Sequence, residues 1–334
     1  MCKRKKDCTQ FDKVSKKMGC KYKKGFKKIC VDHAYNQEKS LDSSLSIHQY
    51  IQAASEQIAY YHINKYYNPL FHDKRVNPSN QKDVDIVYYG EPFNLFIEVK
   101  TPEVYENTED YKSDVLTIEQ DHRYCETTVS RKDFENRKEQ IRRHVNEIKS
   151  TENKKMDDNK IGQYLRESNA KMVDSGENGI NILLICLNST DFFRFYDYIT
   201  NMEQGLFGLE PYVKKEDYMN VDFIVLSNCV EAHLDKRFKF NPWEFSHYLN
   251  FVIPNEYKGE KLIPKIDTIR NLFSDKHFEY IYYRDNVFPK LYKDVPSDVT
   301  VLTLPQFIGD KYQMFSPNRN NRKYGCWLSF KKKS

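Results

Sequence analysis

The sequence predicts an α/β protein in which helices flank a mixed central sheet. Apolar residues recur with helical spacing over positions 45–67, which predicts an amphipathic helix. Two short runs rich in β-branched and aromatic residues, 84–90 and 93–100, predict a β-hairpin. Two apolar runs, 180–187 and 221–228, predict buried strands. Helices and strands that alternate in this order are typical of the α/β class.

The first helix is predicted from a single apolar stripe. The side chains that share this face are Ile47, Tyr50, Ile51, Ala54, Ile58 and Tyr61. Asn68 and Pro69 then end the helix, because the residue before a proline avoids the helical conformation.

The later elements are predicted from the same periodicities. Residues 132–150 form a highly charged helix whose apolar positions are Phe134, Ile141, Val145 and Ile148. A helix over 191–200 lies between the two buried strands, so those strands should run parallel and be joined by a crossover. Residues 264–273 look helical, and FEYIYY at 278–283 looks like a strand.

Charge is distributed unevenly along the 334 residues. Residues 1–40 carry 13 Lys or Arg against 4 Asp or Glu, and residues 311–334 carry 7 basic residues and no acidic one. Residues 41–310 carry 33 basic against 44 acidic residues. An acidic body with basic ends suggests that the ends contact an anion, and nucleic acid is the commonest large one. The alternative is that the basic tails only keep the protein soluble.

The basic N-terminus and the mixed periodic signal beyond about residue 255 divide the chain into three segments. Residues 1–44 form a basic Cys-containing N-terminal segment, 45–255 a core, and 256–334 a C-terminal extension with a basic tail. The longest apolar run, 182–187, has six residues, far fewer than the roughly 20 of a membrane span. The N-terminus has no apolar signal region. We therefore expect a soluble, cytoplasmic protein with no membrane partner.

Four of the eight cysteines lie in the first 30 residues. Without a secretory signal a disulfide framework is not expected. Cys8, Cys20, Cys30 and His33 are candidates for a structural Zn²⁺ site, since Cys30 and His33 are three residues apart. The other gaps are wider than those of compact zinc motifs, and the alternative is a basic arm with reduced thiols.

The hairpin carries the residues best suited to catalysis. Side chains alternate along a strand, so Glu98 and Lys100 share one face while Ile97 and Val99 point into apolar packing. Asp85 comes from the partner strand. Two carboxylates and one ammonium group can thus converge at one place.

This trio suits phosphodiester hydrolysis. Carboxylate oxygens are ligands that Mg²⁺ prefers, and a bound Mg²⁺ activates water and offsets charge on phosphate. Lys100 would orient or deprotonate the attacking water, or stabilise developing negative charge. Asp83 competes with Asp85 because both share a face. The alternative without a catalytic role is a surface hairpin whose Glu98 and Lys100 face solvent.

The order of helix, strand with Asp, strand with Glu-x-Lys, helix and buried strand resembles the PD-(D/E)xK nuclease superfamily, over about residues 45–190. The resemblance implies a restriction-endonuclease-like core and a nuclease dependent on Mg²⁺ or Mn²⁺. In it Asp85 and Glu98 would bind the metal, the Val99 carbonyl would add a ligand, and Lys100 would be catalytic.

The resemblance also implies accessory residues. Glu56 fits the acidic residue that many members carry on the preceding helix. Gln140 is the candidate for the glutamine that some members carry on the helix after the lysine. About 30 residues separate Lys100 from that predicted helix, which is a departure from the compact family pattern.

These observations predict an endonuclease that cuts DNA, of the kind cells use in restriction or anti-phage defence. No Gly-rich phosphate loop ends in Lys-Ser or Lys-Thr, so any ATPase or helicase partner would be a separate chain. A homodimer is the economical way to cut both strands. Two alternatives stay open: a catalytically inactive nucleic-acid-binding module of the same fold, and a zinc-containing interaction protein.

Overall fold

The computed structural model describes residues 44–102, 160–201, 204–230 and 245–287, together with positions 233, 290, 304 and 307. Described residues up to 276 form one compact unit, and those from 277 onward belong to a second. Within these ranges no helix is long and apolar enough to cross a membrane. The predicted segment boundaries after residues 44 and 255 stay predictions.

A six-stranded mixed sheet forms the centre of the first unit, which confirms the predicted α/β class. Its strands lie in the same order as in the sequence. Strands β1 to β3 are antiparallel, β4 and β5 continue the sheet in parallel with β3, and β6 is antiparallel to β5. The strands are β1 (Leu70–Lys74), β2 (Val84–Tyr88), β3 (Asn94–Lys100), β4 (Gly179–Cys186), β5 (Phe223–Ser227) and β6 (Asn250–Pro254).

Helix α1 (Ser44–Ile63) covers one face of the sheet. Its Ile51 and Ile58 are buried in one apolar cluster with Ile97 and Val99 of β3. This confirms the prediction that Ile97 and Val99 of the hairpin point into apolar packing. The helix ends at Ile63, four residues before the predicted end.

A fourth helix, α4 (Ile263–Phe273), adds to the same layer. Its Ile269 and Leu272 belong to the cluster that includes Ile51 of α1. The structure thus confirms the helix that was predicted over residues 264–273. One face of the sheet is therefore covered by α1 and α4.

Two helices cover the opposite face: α2 (Ile161–Lys171) and α3 (Ser189–Thr200). Met172, directly after α2, packs against Phe96 of β3. Phe192 of α3 contacts Phe251 of β6, with ring centroids 5.1 Å apart. Because α3 joins parallel strands β4 and β5, the predicted crossover is confirmed.

One predicted strand is wrong. The FEYIYY segment forms helix α5 (His277–Tyr282), and a π-helical turn follows over Tyr283–Val287. Tyr280 and Tyr283 are one helical turn apart, and both rings contact Phe307, at 5.5 and 5.3 Å between centroids. The run of aromatic residues has strand composition, but the burial of these two tyrosines follows the helical period.

Three elements were not predicted: β1, β6 and α2. Each is short, with five, five and eleven residues. The helix predicted over residues 132–150 lies outside the described residues.

Candidate functional site

Two carboxylates lie side by side where β2 and β3 pair. Ile86 of β2 pairs with Ile97 of β3 in the antiparallel register, which sets Asp85 and Glu98 opposite each other. The main-chain N–H of Val99 donates a 2.7 Å hydrogen bond to the Asp85 carboxylate. Strand pairing therefore brings together the two acidic residues that the hairpin predicts.

Burial distinguishes these carboxylates from their neighbours. Asp83 is exposed, whereas Asp85 is half-buried and Glu98 is only 1% exposed. Asp85 is therefore the aspartate that accompanies Glu98. The surface-hairpin alternative is wrong, because Glu98 is buried and the Lys100 side chain is 18% exposed.

Lys100 lies between two acidic side chains. Its ammonium group is 3.1 Å from Glu98 Oε1 and donates a 2.7 Å hydrogen bond to Glu167 Oε2. Gln163, one turn earlier on α2, donates a 2.8 Å hydrogen bond to the other oxygen of Glu167. Burial acts to lower the pKa of Lys100, but Glu98 and Glu167 outweigh it and raise the pKa above its ordinary value. Lys100 is thus a firmly held ammonium ion.

A second lysine, Lys171, enters the site from the last turn of α2. Its Nζ is 2.5 Å from Glu98 Oε1 and 3.9 Å from Asp85 Oδ1. Acidic and basic groups therefore alternate through the site, in the order Glu167, Lys100, Glu98, Lys171 and Asp85. Charge pairing connects the hairpin to α2.

Asparagine side chains hold the C-terminal end of α2, where main-chain carbonyls have no partner within the helix. Asn77 and Asn80 each donate a 2.9 Å hydrogen bond to the Ala170 carbonyl. Asn220 donates to the Asn169 and Met172 carbonyls at 3.0 and 3.2 Å. Asn181 of β4 donates to the Val173 carbonyl at 2.7 Å. These bonds fix the main chain that carries Lys171.

Glu56 reaches the site from α1. Burial, together with the negative charges of Asp85, Asp73 and Glu98, raises the pKa of Glu56 to about 8, while Lys171 opposes this shift. The predicted accessory acid thus lies within electrostatic range of the carboxylate pair.

The pKa of Asp85 is also raised, in part by a neighbouring carboxylate. Burial and the neighbouring Glu98 raise the pKa of Asp85 to about 7, against the opposing effects of Lys171, the Val99 N–H and Lys100. Glu98 Oε2 is buried and has no hydrogen-bond partner in the part of the chain that the structure describes. The positive charges of Lys100 and Lys171 therefore do not fully offset the negative charges of the acidic side chains.

Several predicted site residues lie outside the described residues: Gln140, Cys8, Cys20, Cys30 and His33. The proposed Val99 carbonyl ligand stays a prediction. Across the described ranges, no group of three or more His, Cys, Asp or Glu side chains is arranged to hold a metal ion. The oxygen donors that lie together there are those of Asp85 and Glu98, and Lys171 contacts both.

Sequence reasoning missed Glu167 and Lys171. A signal does exist, because Gln163, Glu167 and Lys171 follow one another at four-residue spacing and so share one face of a helix. Ile161 and Leu165 mark the buried face. The segment was not predicted as a helix because it has few apolar residues.

No family model matches the chain, and no curated protein or solved structure is significantly similar to it. The functional interpretation therefore depends on the residues themselves and on their geometry.

Proposed function

We propose that the protein is a Mg²⁺-dependent endonuclease that hydrolyses phosphodiester bonds in DNA. The observation that carries this proposal is the contact between Lys100 and Glu98 next to Asp85, which joins an ammonium group to a pair of carboxylates. This is the trio that the resemblance to PD-(D/E)xK nucleases implies. The order of α1, three antiparallel strands and the parallel strand β4 supports a restriction-endonuclease-like core.

Two observations support a divalent cation at Asp85 and Glu98. Glu98 Oε2 is buried without a hydrogen-bond partner among the described residues, and the Lys171 ammonium group contacts both side chains. The pair therefore already accommodates positive charge. Mg²⁺ or Mn²⁺ suits carboxylate oxygens, with the Val99 carbonyl as a third ligand. A bound ion of this kind supplies an activated water and offsets the charge of the phosphate.

Lys100 has a different role from a metal ligand. Its raised pKa means that it keeps its proton at neutral pH, so it does not act as a base towards water. A fixed ammonium group beside the carboxylate pair suits the stabilisation of negative charge that develops on phosphate oxygens. We therefore assign Lys100 to charge stabilisation and to orientation of the attacking water.

Glu56 fits an accessory acid. Its pKa of about 8 means that it is largely protonated at neutral pH in the metal-free protein. Repulsion from Asp85 and Glu98 contributes to this value, and a divalent cation would relieve that repulsion. The electrostatics of Glu56 are thus consistent with a cation-binding site.

DNA is the proposed partner because residues 1–40 and 311–334 of the sequence are strongly basic. Both segments lie outside the described residues. A role in restriction or anti-phage defence follows by analogy with the nucleases that the hairpin resembles. A homodimer would supply two active sites for cutting both strands.

A second candidate is a catalytically inactive nucleic-acid-binding module of the same fold. The observation that favours it is the position of Lys171, whose ammonium group already contacts both carboxylates and offsets part of their charge. Such a module would bind DNA without a divalent cation and lose affinity steeply as salt rises. The zinc-containing interaction protein depends on Cys8, Cys20, Cys30 and His33, which lie outside the described residues.

The direct test is incubation of the full-length protein and its Glu98→Gln variant with plasmid DNA, single-stranded DNA and RNA, in Mg²⁺, Mn²⁺ or EDTA. We expect metal-dependent cleavage of DNA by the wild type alone. DNA binding by both proteins with no cleavage in any metal would favour the inactive module. Cleavage of RNA alone would support phosphodiester hydrolysis at this site but would show that the substrate is RNA and not DNA.

A further inference from the structure

Lys171 contacts both carboxylates at the place where the proposed metal would bind. Its Nζ lies 2.5 Å from Glu98 Oε1 and 3.9 Å from Asp85 Oδ1. We propose that Lys171 is the resident counter-ion of this pair and that a divalent cation binds by displacing its ammonium group. The inference rests on the proposed metal site.

For electrostatic reasons, the Lys171 ammonium group and a divalent metal ion are alternative partners of the two carboxylates. Glu98 is 1% exposed, and two charges about 4 Å apart in a partly buried site interact strongly. A counter-ion is needed when no metal is bound, because Asp85 and Glu98 repel each other. A divalent cation held by the same oxygens would repel an ammonium group that stayed in contact with Glu98.

The two lysines of the site are held differently. Lys100 has two close acidic partners, Glu98 at 3.1 Å and Glu167 at 2.7 Å. Among the described residues Lys171 has one close partner, since its second contact, with Asp85, is 3.9 Å long. Lys100 can lose the contact with Glu98 and keep Glu167, whereas the partners of Lys171 within the described ranges are the carboxylates that would bind the metal.

The main chain around Lys171 does not need to move. Asparagine side chains hold the carbonyls of Ala170 and Met172 on either side of it. The lysine side chain has a flexible four-carbon stem, and at 15% exposure it has a path to solvent. Rotation of this side chain alone can release the carboxylates.

The test is calorimetric titration of the full-length protein with MnCl₂ in the absence of nucleic acid. Lys171→Met keeps the length of the side chain and removes its charge, so it should bind Mn²⁺ at least roughly tenfold more tightly than the wild type. Lys261→Met is the matched control, because Lys261 is exposed and should leave the affinity unchanged. Equal or weaker binding by Lys171→Met would overturn the inference.

A second measurement uses only the wild-type protein. Acetylation by a water-soluble reagent, mapped by mass spectrometry, reports how accessible each lysine amine is. Lys171 should react slowly without metal and several-fold faster with saturating Mn²⁺, while the rate at Lys261 stays constant. If Mn²⁺ binds and Lys171 reacts no faster, the ammonium group is not displaced and the inference is wrong.

These outcomes separate the inference from the proposed function. Mn²⁺ binding that is abolished by Glu98→Gln but is the same in wild type and Lys171→Met would keep the metal site and reject the role of Lys171. If neither the wild type nor Lys171→Met binds Mn²⁺, the proposed metal site is itself wrong, and the inference falls with it.

Discussion

Lys100 donates a 2.7 Å hydrogen bond to Glu167, a residue 67 positions later in the sequence. Glu167 is itself held by Gln163, which donates a 2.8 Å hydrogen bond from the preceding turn of α2. A helix outside the hairpin motif therefore positions the lysine of that motif. The geometry of the candidate site depends on the packing of α2 as well as on the pairing of β2 and β3.

Substitution of Glu167 should weaken catalysis without removing it. In Glu167→Gln the ammonium group of Lys100 loses its nearest acidic partner, and we expect kcat to fall roughly 10- to 100-fold through misplacement. Loss of the carboxylate also lowers the pKa of Lys100. As pH rises, the rate of cleavage by the variant should consequently begin to fall at a lower pH than the rate of the wild type does.

A pH–rate profile measures both effects. Glu210→Gln is the control, because Glu210 is exposed and its loss should change neither rate nor profile. A Glu167→Gln variant whose basic limb coincides with that of the wild type would show that Glu167 does not act through Lys100.

The stability of the metal-free protein should fall as pH rises from about 7 to about 8.5. Burial and, to a smaller extent, nearby carboxylates raise the pKa of Glu56 to about 8 and that of Asp85 to about 7. The folded chain therefore binds protons that the unfolded chain has already released. Each such group lowers the free energy of unfolding by at most about 1.4 kcal/mol per pH unit while it is protonated in the folded chain and ionised in the unfolded chain, so the decline levels off above about pH 8.5.

Thermal unfolding in EDTA across this range gives the measurement. Burial lowers the pKa of His72 to about 4, so above about pH 7 this residue is neutral in the folded state and mostly neutral in the unfolded state, and it opposes the trend only slightly. Glu56→Gln should flatten the slope, and Glu210→Gln should retain it. An unchanged slope in Glu56→Gln would mean that Glu56 is ionised in the folded protein.

The asparagines that hold α2 should contribute measurably to stability. Asn220→Ala removes two donors, at 3.0 and 3.2 Å from the Asn169 and Met172 carbonyls, and we expect a loss of about 1–3 kcal/mol in the free energy of unfolding. Urea denaturation measures this loss. Asn178→Ala, at an exposed position, should stay within about 0.5 kcal/mol of wild type. Equal stability of the two variants would show that the Asn220 side chain does not stabilise α2.

The basic N-terminal segment should contribute to DNA affinity. A protein without residues 1–40 loses 13 basic and 4 acidic residues, so it should bind DNA more weakly and with a shallower dependence on salt. Fluorescence anisotropy at several salt concentrations, in EDTA to prevent cleavage, measures the slope. An unchanged slope would show that this segment does not contact phosphate.

The sequence predicts the parts of the fold that have strong periodic patterns. Residues 180–187 are apolar almost throughout, as a strand buried on both faces must be, and the stripe over 45–67 has the helical period. The pair Asp85 and Glu98 could be predicted because both lie in such strands, where alternation decides the face of each side chain.

Long-range packing explains what could not be predicted. Strands β1 and β6 are five residues each, and partner strands rather than their own composition define them. Helix α2 is placed at the site by hydrogen bonds from Asn77, Asn181 and Asn220, which are distant in sequence. The four-residue spacing of Gln163, Glu167 and Lys171 indicates a shared helix face, but the roles of Glu167 and Lys171 depend on where α2 is placed, which that spacing does not give.

The most direct test of the proposed site is plasmid cleavage by the wild type, Lys100→Met and Lys261→Met, with Mg²⁺ or with EDTA. Wild type and Lys261→Met should cleave DNA only with Mg²⁺. Lys100→Met should lose at least about 100-fold in rate while it retains its fold and still binds Mn²⁺. Cleavage by Lys100→Met at the wild-type rate, or cleavage by any of the three proteins in EDTA, would contradict the proposed site.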